Sequence, residues 1–480
     1  MMKNFVLSTV IMLASFTTKA ALELPVIFAD NMILQREMPL KIWGKSVAGE
    51  RVSIKFNSQT ISVIADKNRD WEVTLKSMKA GGPYTLKVNS DQGETVIFKN
   101  ILIGDVWICA GQSNMNFMLA AEKNGPAVLK SLNNSNIREY RCAMPAGVEN
   151  PENNNHSKWI AAVGEKAASF SAVAFYFAKK VQASEHVPIG LIVMACGNTR
   201  AESWIDTVAL KANQSLQPLL DHWQKRKANN DIVINHEPGI FYEAVVKPVV
   251  PFAVKGLLWY QGESNTLPDN SGRNINERTA EYKDLLRVFI NDWRNKFKQQ
   301  QLPFYIIQLP NYKEPSQDLH WANIRQSQLE MSKEISNVGL VVTIDVGDST
   351  NIHPNNKQAV GERAANQALV YEYHHKKIIA CGPLVKNILI EGNTVLVFFE
   401  DSGNGLTGVN GNDLDGFEIA GNAAPEMFFK ANTILQNDEI IVSNDAVLHP
   451  VAVRYAWADN PAVSLFNKAG IPASPFLIKK

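Results

Sequence analysis

The sequence predicts an α/β protein, with a mostly parallel sheet covered by helices on both faces and β-rich regions before and after it. Three observations lead there. Short apolar runs such as Ile189–Ala195 and Val254–Tyr260 alternate with amphipathic stretches through the middle of the chain. Period-two alternation between glycines fills the stretch before it, and similar strand-like runs return after it. The chain has 480 residues, 45% hydrophobic and 20% charged, so it is long enough for large buried cores and too apolar to be disordered. At roughly 100–200 residues per domain, that length suggests two to four domains.

In chain order, residues 1–20 read as a secretory signal peptide. Lys3 precedes an apolar run from Phe5 to Phe16, and Ala20-Ala21 supplies small residues for cleavage. The run is too short to cross a bilayer core of ~30 Å comfortably, so no membrane anchor is expected and the mature chain is secreted or periplasmic. The nearest cysteine after the run is Cys109, too far away for lipid attachment. Residues 21–103 form an N-terminal β-sandwich-like domain, with strand patterns at Arg51–Phe56, Trp71–Leu75 and Tyr84–Val88. Residues 104–376 form the α/β domain. Its strands are Asp105–Cys109, Ile189–Ala195, Val254–Tyr260, Phe304–Leu309 and Gly339–Val346. The clearest helix carries Tyr282, Leu285, Leu286, Phe289, Ile290, Trp293 and Phe297 on one face. Further helices are expected near Ile324–Ile335 and Asn355–Tyr373. The polar stretches 120–160 and 205–240 read as loops or insertions rather than sheet elements. Residues 377–480 form a C-terminal β region, either packed on the first or separate from it.

The charge balance excludes some functions. There are 48 Lys plus Arg and 47 Asp plus Glu, a formal net charge of +1, so no global field exists to grip nucleic acid. Removing residues 1–20 takes away two lysines and no acid and leaves −1. The four cysteines, Cys109, Cys142, Cys196 and Cys381, fit no zinc motif. In an oxidising compartment they either pair or stay as buried thiols. There is no H-E-x-x-H, and Gly411 breaks a calcium-loop pattern at Asn412–Gly416, so no metal site is expected.

Ligands of open α/β sheets bind beyond the carboxyl ends of the strands. Four expected strand ends carry polar or reactive residues: Gly111–Met115, Gly197–Thr199, Gln261–Asn265 and the loop Asp345–His353. A serine at a tight strand-to-helix turn, Ser113, is a candidate nucleophile, and His353 a candidate base. Each alone is weak, because a serine after a strand commonly caps a helix. Their coincidence carries the argument. The lipase-type G-x-S-x-G is absent, since Met115 stands where the last glycine would be. Ser264 is a rival nucleophile. Trp204 and Trp259 either stack on sugar or fill the core.

Ser113 within GQSNM, WYQGESN at Trp259–Asn265 and IHP at Ile352–Pro354 resemble the sialate O-acetylesterases, part of the wider SGNH hydrolases. Further motifs agree in order: Met32–Arg36, Gly190–Ile192, Ala201–Trp204 and Val453–Trp457. The resemblance implies a flavodoxin-like SGNH core and a cofactor-free serine esterase that removes O-acetyl groups from sialic acids through an acetyl-enzyme. It implies Ser113 as nucleophile, His353 as base, and an oxyanion hole of the Ser113 and Gly197 backbone N–H groups with the Asn265 amide. Gln112, Arg200 and Glu263 would bind substrate or brace the site, Arg200 by meeting a carboxylate. Many SGNH enzymes place an aspartate three residues before the histidine, and Thr350 stands there. Asp348 is the leading candidate to orient His353; Asp345, Glu263 and a backbone carbonyl are the alternatives. The same chemistry on acetylated xylan or another polysaccharide is a second reading. A non-catalytic carbohydrate-binding protein is a third, disfavoured by the intact Ser113, His353 and Asn265. Oligomeric state is left open.

Overall fold

The computed structural model describes residues 22–148, 157–267, 274–313, 319–409, 414–422 and 427–480. The expected leader lies outside the described residues. No helix among those described is long and apolar enough to cross a membrane.

The first strands are β1 (Ile33–Gln35), β2 (Leu40–Lys45), β3 (Arg51–Phe56), β4 (Gln59–Ile64), β5 (Asp70–Leu75), β6 (Gly81–Ser90) and β7 (Thr95–Gly111). They alternate as expected: Val52, Ile54 and Phe56 are buried, while Arg51 and Lys55 are exposed. β2 pairs with β5; β3, β4 and β6 form an antiparallel ladder that runs onto β7. β7 is 17 residues long, and the boundary expected at 103/104 falls inside it. Its first part alternates between half-buried and exposed residues, and from Ile101 onward every residue is buried. One strand thus passes from a half-solvated sheet into a fully covered one.

The core continues with α1 (Ser113–Asn116), α2 (Gly125–Ser131), β8 (Asn133–Arg141), β9 (Trp159–Val163), α3 (Ala172–Glu185), β10 (Ile189–Ala195), α4 (Thr207–Ala212) and α5 (Gln217–Ala228). Then follow β11 (Gly256–Tyr260), α6 (Glu263–Thr266), α7 (Ile275–Lys296), β12 (Phe304–Ile307), α8 (His320–Glu334), β13 (Val338–Val341) and α9 (Lys357–Tyr371). The central sheet has the order β13-β12-β11-β7-β10-β8-β9. Only the β8–β9 pair in that path is antiparallel. Alternate residues of each strand face opposite sides. Val106, Ile108 and Ala110 join one core with Trp259 and the apolar face of α7. Trp107 and Cys109 join the other with Tyr260, α3 and α9. The seven apolar residues expected on one face of α7 are all buried, each contributing on the order of 1.5–3 kcal/mol.

The stretch 120–160 departs from expectation, because β8 is an interior strand, parallel to β10. Its charges hid it. Arg138, Glu139 and Arg141 are buried in pairs and hydrogen bonds: Arg141 meets Glu139 at 3.1 Å, and Arg138 reaches the Asn31 and Asn100 carbonyls at 2.7 Å each. The 205–240 stretch holds no strand among the described residues, but folds into α4 and α5 rather than remaining loop.

Among the described residues after 376 the chain forms two four-stranded antiparallel sheets and a two-stranded pair. This region docks on α8. The fully buried Arg325 guanidinium donates to the carbonyls of Leu309 and Pro310 in the core and of Ala458 and Asp459 beyond it, at 2.7–2.9 Å. All four cysteines are buried free thiols.

Candidate active site

The strand order reverses at β7, since β10 lies on one side of it and β11 on the other. Such a switch point opens a crevice at the carboxyl ends of the strands. Three of the polar segments sit there: Gln112-Ser113 after β7, Gly197 after β10 and Glu263–Asn265 after β11. Gly111 turns the chain out of β7 with φ of +142°, and a Cβ on it would meet the Tyr260 carbonyl at 2.1 Å. No other residue fits so close to β11.

Ser113 is half-buried at the start of α1, and its Oγ lies 2.7 Å from His353 Nε2. Burial, and then the Lys357 charge, hold the His353 imidazole below its usual value. The imidazole is therefore poised neutral, as a proton acceptor from serine must be. Gly197 faces the serine, with the position of an added Cβ only 3.7 Å from Ser113 Cβ. The Gly197 carbonyl is held by Asn235 Nδ2 at 2.8 Å, and its N–H has no acceptor among the described residues. Asn265 is buried and clamped. Its Oδ1 accepts from Ala201 N–H at 3.0 Å and from Gln261 at 2.8 Å, and its Nδ2 donates to Glu202 at 3.0 Å. Glu202 appeared in the sequence only as part of a motif; the fold makes it the group that orients this amide.

Other expected residues brace the site. Gln112 Oε1 accepts from the Gly262 and Ser264 N–H groups at 3.4 and 3.3 Å, tying the β7 and β11 ends together. Glu263 is buried and accepts from Asn114 Nδ2 at 2.6 Å. Burial pushes its carboxyl upward, while Asn114 and Lys357 pull it back. Arg200 is buried; its Nε donates to the Ser264 carbonyl at 3.2 Å, and it lines a cleft with Glu202, Trp223, His236, Asn265 and Arg278. Ser264, the rival nucleophile, is buried and has no histidine against it among the described residues. Trp204 and Trp259 are fully buried in the core.

The structure does not bring Asp348 to His353. Asp348 is exposed, and its carboxylate accepts from Thr350 N–H and Oγ1 at 2.8 Å each and from Asn351 N–H at 3.2 Å. These bonds, Thr350 first, hold it below the usual carboxylate value. Asp345 is engaged by Arg363 through two contacts of 2.6 Å. His353 Nδ1 has no hydrogen bond among the described residues. A short local sequence favours local bonds: an aspartate two residues before a backbone N–H closes its own turn. The arrangement supplies a serine, its base, and a free backbone donor, the Gly197 N–H, beside them, elements of acyl transfer.

Comparison with known proteins agrees. The family profile described as "Carbohydrate esterase, sialic acid-specific acetylesterase" matches residues 103–370. A Homo sapiens protein named sialate O-acetylesterase is 25% identical, covering 93% of this chain and 91% of its own. Its Mus musculus namesake is 26% identical, covering 94% and 93%. The crystal structure of a carbohydrate acetylesterase from Xanthomonas citri has a TM-score of 0.84 and 32% identity, covering 96% of this chain and 100% of that one. By profile, sequence and fold together, the chain belongs to the sialic acid-specific acetylesterase family of carbohydrate esterases and is a carboxylic ester hydrolase.

Proposed function

We propose that this enzyme removes O-acetyl groups from sialic acids by a serine mechanism. The observation that carries the reading is the 2.7 Å contact between Ser113 Oγ and His353 Nε2 at the sheet's switch point. Ser113 Oγ attacks the acetyl carbonyl carbon while His353 takes the hydroxyl proton. The negative charge on the carbonyl oxygen meets the Ser113 and Gly197 N–H groups and the Asn265 amide, each donor contributing about 3–4 kcal/mol. The bond to the sugar oxygen breaks, and His353 returns the proton to that oxygen. Water, deprotonated by His353, then attacks the acetyl-serine; acetate is released as the ester bond breaks, and His353 returns the proton to Ser113 Oγ. No step calls for a cofactor.

The relatives that bear the name sialate O-acetylesterase support sialic acid as the sugar. Arg200, on the wall of the cleft that Asn265 shares, is assigned to the sugar carboxylate. The leader pattern in residues 1–20 supports export, which makes the mature enzyme secreted or periplasmic. The substrate is tested by acetate release from O-acetylated sialic acid beside acetylated xylan. The expected outcome is a higher kcat/KM on the sialate. A preference for xylan would transfer the reading to plant polysaccharide, and glycan binding without acetate release would make the protein a non-catalytic binder.

The structure also makes a prediction about Asp348. Because its carboxylate serves only its own turn, Asp348→Asn is expected to change kcat by less than about threefold, as for an exposed residue outside the reacting unit. A loss of about 10³-fold or more, the scale of a triad acid, would establish Asp348 as the partner of His353.

A further inference from the structure

Lys357 breaks two local rules. It is the first residue of α9, where a cation opposes the helix dipole, and its side chain is fully buried. Such violations persist where the surroundings compensate them, and they concentrate at working sites. The compensation here is specific. The Lys357 ammonium donates to Asn114 Oδ1 and sits over the faces of Phe117 and Tyr260 at 4.9 and 5.5 Å. Glu263 from α6 and Glu122 from the segment after β7 supply the opposing charge.

Asn114 is the hub. Its Oδ1 faces the cation, which forces its Nδ2 the other way. That Nδ2 donates to Glu263 at 2.6 Å and to the Ile352 carbonyl at 3.0 Å. Ile352 is the residue immediately before His353. The Ile352 carbonyl, next to the base, is therefore fastened by an amide whose orientation is dictated by a buried cation on one side and a buried carboxylate on the other. No carboxylate reaches the far nitrogen of the imidazole among the described residues.

Resting on the serine-esterase reading, we propose that Lys357 is a positioning residue: acting through Asn114 and the Ile352 carbonyl, it holds His353 against Ser113, in place of an acid at the imidazole Nδ1. A second effect follows from the same placement. The groups facing Lys357 are Glu263, Glu122, His353 and the Tyr260 ring, and of these only His353 shares its sign when protonated. A cation there disfavours the imidazolium and keeps the base neutral. Burial brings the Lys357 ammonium down to about 7 against the pull of Glu263 and Glu122.

The test uses the full chain and an acetyl aryl ester, with Lys357→Met and Lys357→Gln. Lys357→Met removes both charge and donor. It is expected to lower kcat by about 10- to 100-fold through misplacement of the base, with KM nearly unchanged. It is also expected to move the acid limb of kcat/KM upward by about one pH unit as the imidazole regains protons. Lys357→Gln keeps a donor to Asn114 and should recover most of kcat while retaining the displaced limb. A packing role alone would lower stability without moving the limb, so an unmoved limb in both variants overturns the proposal. Should neither variant fold, ¹⁵N-histidine NMR of the wild type decides. His353 titrating below the free imidazole, about 6.5, with an Nδ1 proton that exchanges with water, upholds the proposal. A protected, strongly deshielded Nδ1 proton overturns it. Acetate release by the wild type that vanishes in Ser113→Ala is scored first. Its absence would sink the esterase reading itself, whereas its presence with an unmoved limb sinks only the role of Lys357.

Discussion

Replacing Ser113 with alanine is expected to cut kcat on any acetyl ester by about four to six orders of magnitude, with binding of the sugar little affected. The size follows from the geometry. Ser113 Oγ is the one hydroxyl in hydrogen-bond contact with His353 among the described residues, at 2.7 Å, and nothing in the alanine variant takes its place. Ser264 cannot substitute: it is buried within α6, and its backbone N–H and carbonyl are engaged by Gln112 and Arg200. What would remain is activation of water by the oxyanion donors and by proximity, worth about 10³–10⁴ over the uncatalysed reaction. The measurement is single-turnover acetate release by the variant beside the wild type. A loss of less than about tenfold would remove Ser113 from the chemistry, because a nucleophile and its base act as one unit.

Replacing His353 with alanine is expected to cost nearly as much, and the double variant little more than either single one. The two residues split one task, so their losses do not add. The pH dependence carries the sign. His353 works as a base and must be neutral in the free enzyme, so kcat/KM rises with pH through its titration and then levels. Burial and the Lys357 charge lower that titration, so the acid limb of the wild type should lie below the usual imidazole value of about 6.5. The His353→Ala variant should lose this limb altogether. A limb above 6.5 would mean that a carboxylate faces the imidazole in solution and stabilises its charged form.

The parallel sheet was legible because strands buried on both faces are written as unbroken apolar runs, and Ile189–Ala195 is buried throughout. β8 escaped because its interior half reads Ile-Arg-Glu-Tyr-Arg, and sequence does not reveal that its charges meet one another once folded. The end of the N-terminal region escaped for another reason. β7 changes from one-sided to two-sided burial without a break, so no loop marks the transition.

At the site, Ser113, Gly197, Glu263 and Asn265 stood out because each follows a strand at its carboxyl end. Lys357 did not. A lysine at the start of an amphipathic helix reads as a solvated side chain, and only the fold that sets it over the Phe117 and Tyr260 rings buries it. The partner of His353 was the hardest to read. The loop from Asp345 to His353 offers several polar groups, and the spacing alone does not show that Asp348 closes its own turn or that Arg363 of α9 takes up Asp345.

The central claim is that Ser113 is the nucleophile activated by His353. The most direct test is inactivation by an aryl phosphonofluoridate, followed by peptide mapping of the labelled residue. The account predicts one equivalent of label on Ser113, in step with the loss of acetate release, and at least a thousandfold slower labelling in His353→Ala, the scale on which a lost base slows a serine nucleophile. Label on Ser264 or another residue, or full labelling with acetate release intact, would contradict it.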